Sequence, residues 1–310
     1  MAKKIPYLTV FERTRVLGNV IAPEGLHFIT ELAPNETSEE LILHISCQVL
    51  NVPHVPYIAQ KVMEKMGLQF TTLGGPENCC GAYHWHFGDL DFERQIAKIS
   101  LNAFQRANAR TVLSLCPSCD DSFGRHKNKS HSFRQCNITE IFIERIADLR
   151  AMMKPVACRV VLHDHNADET RRRNSENILK LLKAIPGVEI LPTRNAEGPG
   201  IGCQSVAPMP RDATVAMFAE AKELGADCIV MPYHSCYRQH LKMQIELGID
   251  VQHYLELLAR SLDIPFENKF RELRLLDSVD QAVASLRPRI QQFGYAEDEV
   301  RKYVQAVVYM

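Results

Sequence analysis

Short apolar runs alternate with longer stretches of helical periodicity along this chain. Leu41 to Ile45, Thr111 to Leu115, Val160 to Leu162 and Asp227 to Met231 are strand-length and nearly continuous in apolar residues. Each gives way to a polar or cysteine-bearing turn. Strands covered by helices on both faces read this way, because neither face meets water. Leu68 to Thr72, followed by a Gly-Gly-Pro turn, reads as a further strand, and Phe92 to Asn108 as a long helix. The alternation predicts βαβ units, hence an α/β fold with parallel sheets.

The same order of elements occurs twice, at an offset of about 120 residues. Residues 41–155 form the first unit and residues 156–262 the second, two pseudo-repeated βαβ-type units expected to face each other across a cleft. Residues 1–40 read as an extension with turns at Ala22 to Gly25 and Ala33 to Glu36. Residues 263–310 read as a helical extension, with periodicity over Val279 to Leu286 and Glu297 to Val308. Its default role is packing over the second unit, although an amphipathic tail equally suits docking of a partner protein.

Composition narrows the function. The 310 residues are 46% apolar, enough for real cores, and the net charge of −1 argues against a nucleic-acid binder. No apolar stretch reaches signal-peptide or transmembrane length, so a cytoplasmic protein is expected. Ten cysteines in such a setting indicate metal or redox work rather than a disulfide framework.

Five of them sit at loop positions in the first unit as Cys47, then Cys79 and Cys80 followed by Gly81, then Cys116 and Cys119. Thirty-one residues separate Cys47 from Cys79, and thirty-five separate Cys80 from Cys116. Each group follows an apolar run, which places the thiols at the carboxyl edge of the sheet, the usual position of sites in open α/β folds. Adjacent cysteines seldom both bind one tetrahedral zinc, and five thiols exceed its four places, whereas a multi-iron cluster offers separate irons. A helix starting at Cys116 would aim N–H groups at the sulfurs. A zinc or redox-inert thiol cluster is the alternative, and it predicts a colourless protein.

This arrangement resembles the cysteine-rich CCG domain of the B subunit of heterodisulfide reductase and its relatives. The resemblance implies that Cys47, Cys79, Cys80, Cys116 and Cys119 together hold one non-cubane [4Fe-4S] cluster. The second unit departs from the pattern: Asn166 stands at the first cysteine position, Gly202-Cys203-Gln204 replaces Cys-Cys-Gly, and Tyr233 to Cys236 replaces Cys-x-x-Cys. Val251 to Leu258 is similar to the family's terminal helix. With two of five ligands left, Cys203 and Cys236, the second unit is not expected to bind the same cluster. Cys203, Cys236 and His234 are candidates for a zinc site there, drawn from a pool that also holds His163, His165 and Cys228, and an empty second unit is the alternative. Cys228 reads more simply as a buried small hydrophobe, and Cys136 and Cys158 as buried or incidental.

Beside the Cys-Cys-Gly turn, His84 and His86 are candidates for proton transfer or substrate contact, or else pack over the cluster and exclude water. Arg171 to Arg173 read as the solvated face of a helix, or as a surface for an acidic partner. No ferredoxin-type cysteine run is present, so electrons must pass to another chain. The resemblance implies a ferredoxin-like C-type subunit and a flavin-containing A-type subunit as partners. It further implies an oxidoreductase component handling thiol, disulfide or persulfide sulfur. With one intact motif, it looks like the second B-type subunit of sulfur-oxidising heterodisulfide-reductase-like complexes, where a lipoyl or other sulfur-carrier protein would bring substrate. The rival reading is a relay or scaffold component of a membrane-linked dehydrogenase complex of the succinate dehydrogenase type.

Overall fold

The computed structural model describes residues 7–31, 41–165, 168–194 and 208–309. A helix α1 (Tyr7–Ile21) precedes β1 (Leu41–Ile45), a 3₁₀ turn at Cys47–Asn51, α2 (His54–Lys65) and β2 (Thr71–Gly74). Next come α3 (Ala82–His86), α4 (Leu90–Arg106), β3 (Thr111–Ser114), α5 (Pro117–His126), β4 (Arg134–Asn137), α6 (Ile138–Glu144) and α7 (Ile146–Met152). The second half continues with β5 (Cys158–Leu162), α8 (Glu169–Ala184), β6 (Val188–Ile190), α9 (Arg211–Glu223), β7 (Cys228–Met231) and α10 (His234–Leu241). It ends with α11 (Met243–Leu247), β8 (Asp250–His253), α12 (Tyr254–Ser261), α13 (Lys269–Arg274), α14 (Val279–Phe293) and α15 (Glu297–Val307).

The strands form two parallel four-stranded sheets, ordered β2-β1-β3-β4 and β6-β5-β7-β8. The second order repeats the first under β1→β5, β2→β6, β3→β7 and β4→β8, so the duplication seen in the sequence is a duplication of topology. Register follows suit: Ile42 pairs with Thr71 and Val112, and Val160 with Ile190 and Cys228. Ile42, Leu43, Val112, Val160, Ile229 and Val230 are fully buried, as strands sandwiched between helix layers require. Each such side chain contributes roughly 1.5–3 kcal/mol of burial.

One apolar core runs through both halves, joining Val55 and Leu113 of the first to Val160 and Leu257 of the second. Polar pairs bridge the halves as well, with Thr139 Oγ1 donating to Asn174 Oδ1 at 3.3 Å and Asn268 Nδ2 lying 3.2 Å from His54 Nε2. No helix among the described residues is long and apolar enough to cross a membrane.

Several expectations shift. The second strand is Thr71–Gly74 rather than Leu68 to Thr72, because Phe70 is outside the ladder and Thr72, Leu73 and Gly74 pair with β1. Val251 to His253 belong to strand β8, and the helix starts only at Tyr254 behind a capping box of His253 and Glu256. The turn expected at residues 33–36 lies outside the described residues, whereas α1 occupies much of the supposed extension. Of the C-terminal helices, α13 packs on the second half, with Arg271 Nη1 donating to the Val251 carbonyl at 2.8 Å, whereas α14 and α15 pack against α1. These last two grip α1 through Asn19 Nδ2 on Tyr295 Oη at 2.7 Å and Arg289 Nη2 on the Asn19 carbonyl at 2.9 Å. Gly18 in turn lets α1 approach the Cys47 turn, where a Cβ would already stand 3.3 Å from the Leu50 carbonyl.

Candidate metal centre

Cys47, Cys79, Cys80, Cys116 and Cys119 lie at the carboxyl edge of the first sheet, each delivered by a strand end. β1 leads through Ser46 to Cys47, and β3 leads through Leu115 to Cys116, the residue that caps α5. β2 leads through Gly75 and the 3₁₀ turn Pro76–Asn78 to Cys79 and Cys80. That turn is pinned from below by His44 on β1, whose Nε2 lies 2.7 Å from the Asn78 carbonyl oxygen, and by Asn78 Nδ2 on the Gly74 carbonyl at 3.0 Å. His44 is fully buried against Phe104 and Phe123, and burial lowers its pKa to about 4.

The Cys-Cys-Gly turn needs its glycine for two reasons. Gly81 sits at φ +77°, and a Cβ there would fall 2.6 Å from the backbone carbonyl of Glu93 on α4. Ser100 Oγ and Ser122 Oγ hold the Cys79 and Cys80 carbonyls at 2.8 and 2.6 Å. Ser122 Oγ also lies 2.8 Å from buried Glu93, so its one proton is shared between that carboxylate and the Cys80 carbonyl, and Glu93 further meets Arg125 at 3.0 Å and His126 at 2.5 Å. Burial alone would raise the Glu93 pKa, but the bonds from Ser122, His126 and Arg125 outweigh it and hold the carboxyl below its ordinary value.

Cys47 Sγ lies 3.4 Å from Cys79 Sγ, and Cys119 Sγ lies 3.1 Å from Cys80 Sγ. All five thiols are buried and unbridged, and they line one narrow pocket with His86, Ser118 and His234. Contact with Cys47 pushes the Cys79 thiol far up, and contacts with Cys116 and Cys80 do the same for Cys119. Cys80 also rises: the hydrogen bond from Cys119 favours its thiolate, but Cys79 and burial outweigh that bond. Buried thiols that oppose one another's ionisation need cations to become thiolates together. The donor set therefore fits a multi-iron group. The sulfurs stand in mutual contact, so seating such a group has to part them.

N–H donation to sulfur comes from the Cys-Cys-Gly turn, from Gly81 to Cys79 Sγ at 3.4 Å and from Ala82 to Cys80. The Cys116 side chain makes no capping bond at the start of α5, contrary to the expectation that this helix would supply the donors. The helix begins at Pro117, which has no N–H to give.

His86 lines the thiol pocket, and burial with the cations Arg171 and Arg125 lowers its pKa. His84, two residues earlier, packs on the Phe92 ring at 4.6 Å, with Nδ1 3.8 Å from Asp89. Two second-half residues reach this site with no local sequence signal. His234 lines the thiol pocket, fully buried, with neither ring nitrogen hydrogen-bonded and its pKa lowered to about 3 by burial. Arg171 is buried as well, which corrects its reading as solvated: Nη2 donates to Ser118 Oγ at 2.7 Å, and Nη1 pairs with Asp121 at 2.9 Å and with Asp168. Arg172 and Arg173 are exposed.

Cys236 and His234 lie on the same helix, α10, and His234 lines the thiol pocket. His163, His165 and Cys236 converge, their ligand atoms all within 4.8 Å of one another. Asn166 and Cys203 lie outside the described residues. Cys136, Cys158 and Cys228 are buried within strands, the last two 3.8 Å apart across β5 and β7. A cavity of about 520 Å³ neighbours the thiol pocket, sharing Gln48 and Tyr83 with it. Its walls carry Arg13, Arg211, Arg238, Lys242 and Arg274.

Residues 41–124 match the CCG cysteine-rich domain. The chain is 25% identical over 252 residues to the D subunit of the dihydromethanophenazine:CoB–CoM heterodisulfide reductase of Methanosarcina barkeri, and 23% identical over 228 residues to that of Methanosarcina acetivorans. These alignments cover 74% and 68% of this chain but 60% and 56% of the relatives, so the chain spans a little over half their length. An uncharacterized iron-sulfur protein of Methanococcus maripaludis is 25% identical over 171 residues, covering 51% of this chain and 34% of its own. A hypothetical protein from Helicobacter pylori superposes with a TM-score of 0.51 at 8% identity, over 84% of this chain and 55% of its own, a likeness of fold.

Proposed function

We propose that this chain, a homologue of the heterodisulfide reductase D subunit carrying a CCG cysteine-rich domain at residues 41–124, is the sulfur-handling iron-sulfur component of a heterodisulfide-reductase-like complex. The observation that carries this reading is the convergence of five buried thiols from three strand ends in one pocket. Cys47, Cys79, Cys80, Cys116 and Cys119 would hold one non-cubane [4Fe-4S] cluster. Such a cluster, when bound, supplies iron for sulfur ligation and accepts or gives single electrons.

The chain's own residues do the remainder. Apolar packing of Cys80, Cys116 and Cys119 with Phe123 and Phe133, and of Cys47 and Cys79 with Ile96, excludes water. His86 is kept neutral near pH 7 by burial and its cationic neighbours, so it can accept the proton of an incoming thiol. The basic cavity beside Gln48 and Tyr83 suits a negatively charged thiol or an acidic carrier protein bearing one, such as a lipoyl protein. Partners of the flavin-containing A type and the ferredoxin-like C type would exchange the electrons, in a complex working in sulfur oxidation. A pure relay component is the second reading, and burial of all five thiols is what favours it.

Anaerobic iron and sulfide analysis with electron paramagnetic resonance, on wild type and Cys80→Ser, tests the first reading. About four irons per chain, lost in the variant, is the expected result. A spectrum that changes when a thiol is added supports substrate contact, and an unchanged one supports the relay. Zinc in place of iron, lost with Cys80→Ser, overturns both.

A further inference from the structure

We infer that the second half holds a tetrahedral zinc ion on His163, His165, Cys236 and His240, separate from the five-thiol pocket. Their ligand positions come from the same strand ends that serve the first half. β5 ends at Leu162, directly before His163 and His165, and β7 ends at Met231, a short turn ahead of α10, which carries Cys236 and His240. Ligand atoms of His163, His165 and Cys236 fall within 4.8 Å of one another, and Cys236 Sγ lies 3.4 Å from His165 Nδ1. Ligands of one tetrahedral zinc, with bonds of about 2.0–2.3 Å, stand roughly 3.3–3.8 Å apart. The Cys236–His165 contact is therefore already at coordination spacing, and His163 is within 4.8 Å of both.

His240 supplies the independent observation. It is fully buried, its Nδ1 is 2.8 Å from the Cys236 carbonyl oxygen, and its Nε2 has no hydrogen-bond partner. Its ring is 5.2 Å from that of His163. In the first half the positions corresponding to His163 and His240 are His44 and Phe123, whose rings are also 5.2 Å apart. An imidazole thus stands where the repeat has a phenyl ring, in the same packing. Burying an unpartnered polar nitrogen carries a cost that a phenyl ring avoids, and metal coordination would offset it. The Nδ1 contact to a backbone carbonyl is the outer-shell bond that zinc-binding histidines commonly make through their second nitrogen.

A donor set of three imidazoles and one thiolate suits zinc, and burial of all four residues suits a closed, structural site rather than a catalytic one with an open position. His234 takes no part, because it faces the five-thiol pocket.

The test is metal analysis by mass spectrometry on the full chain, purified anaerobically from zinc-replete cells, for wild type, His165→Gln, Cys236→Ser and His240→Phe. Wild type is expected to carry one zinc per chain that survives gel filtration. His165→Gln and Cys236→Ser should lose it roughly tenfold or more while iron stays unchanged. His240→Phe restores the aromatic ring of the first half and so keeps the fold, which makes it the decisive variant should the others fail to fold. It should weaken zinc retention without lowering the melting temperature of the metal-stripped protein. Cys80→Ser should lose iron and keep zinc, so failure of this site and failure of the iron site are read separately. Wild type without zinc, or zinc that survives both His240→Phe and Cys236→Ser, would overturn the inference.

Discussion

Arg171, on the first turn of α8 in the second half, donates a 2.7 Å hydrogen bond to Ser118, which sits between Cys116 and Cys119 in the first. The side chain is 3% exposed and also engages Asp121 and Asp168. One guanidinium thus ties the packing of the two halves to the geometry of a cysteine loop.

Replacing Arg171 by Ala should cost about 1–3 kcal/mol, since it strips charge-assisted bonds from partners that still reach solvent. Lys keeps the charge but not the fork, and should recover only part of the loss. The measurement is thermal denaturation together with iron content. Loss of iron in Arg171→Ala at a temperature where the chain remains folded would trace cluster retention to this contact.

Gly81→Ala should destabilise by about 2–4 kcal/mol, because φ is +77° and the added Cβ meets backbone at 2.6 Å. Gly124, on the exposed side of α5 with nothing within 4 Å of its Cβ position, is the control. Gly124→Ala should stabilise by roughly 0.5–1 kcal/mol. Paired melting curves check both signs.

His44 should make the fold acid-sensitive. Its folded pKa of about 4 lies below the ordinary 6.5, so the folded state binds fewer protons than the unfolded one between those values. Its stabilising contribution is complete above pH 6.5 and is lost as pH falls through 4. The loss amounts to about 3 kcal/mol. His44→Phe removes this one proton, and denaturant titrations between pH 7 and 4 should show a shallower fall in stability than wild type. Equal slopes would mean that His44 is not held neutral.

His234→Phe should leave iron content unchanged and alter the paramagnetic spectrum or the reduction potential. The imidazole forms one wall of the thiol pocket with neither nitrogen hydrogen-bonded, so its loss would change the polarity beside the proposed cluster without removing a thiol. A fall in iron per chain would instead make His234 a ligand.

Much of the architecture is legible along the chain. Continuous apolar runs at Leu41 to Ile45 and Asp227 to Met231 identify doubly covered strands, and their alternation with helical periodicity leaves a parallel sheet as the consistent arrangement. A cysteine placed just after such a run must emerge at the carboxyl edge, which brings Cys47 and Cys116 to one place. These inferences need only local periodicity and the polarity of a parallel sheet. The strand Thr71–Gly74 lies a few residues beyond the stretch that local pattern marks out, because its register is set by pairing with β1, which no local pattern records.

Arg171, His234, His240 and the grip of the C-terminal helices on α1 depend on how distant segments pack. On a helix each residue turns the side chain by about 100°, so whether Arg171 meets water or Ser118 depends on how α8 is seated against the first half. That seating is decided by burial of the apolar core common to both halves, a sum over many contacts rather than a property of any one segment. Sequence alone determined the sheet polarity and the five-thiol set, because strand ends deliver both locally. Only the tertiary structure decided which histidine lines which cluster of side chains and which arginine is buried, because those depend on the rotation and approach of elements more than fifty residues apart.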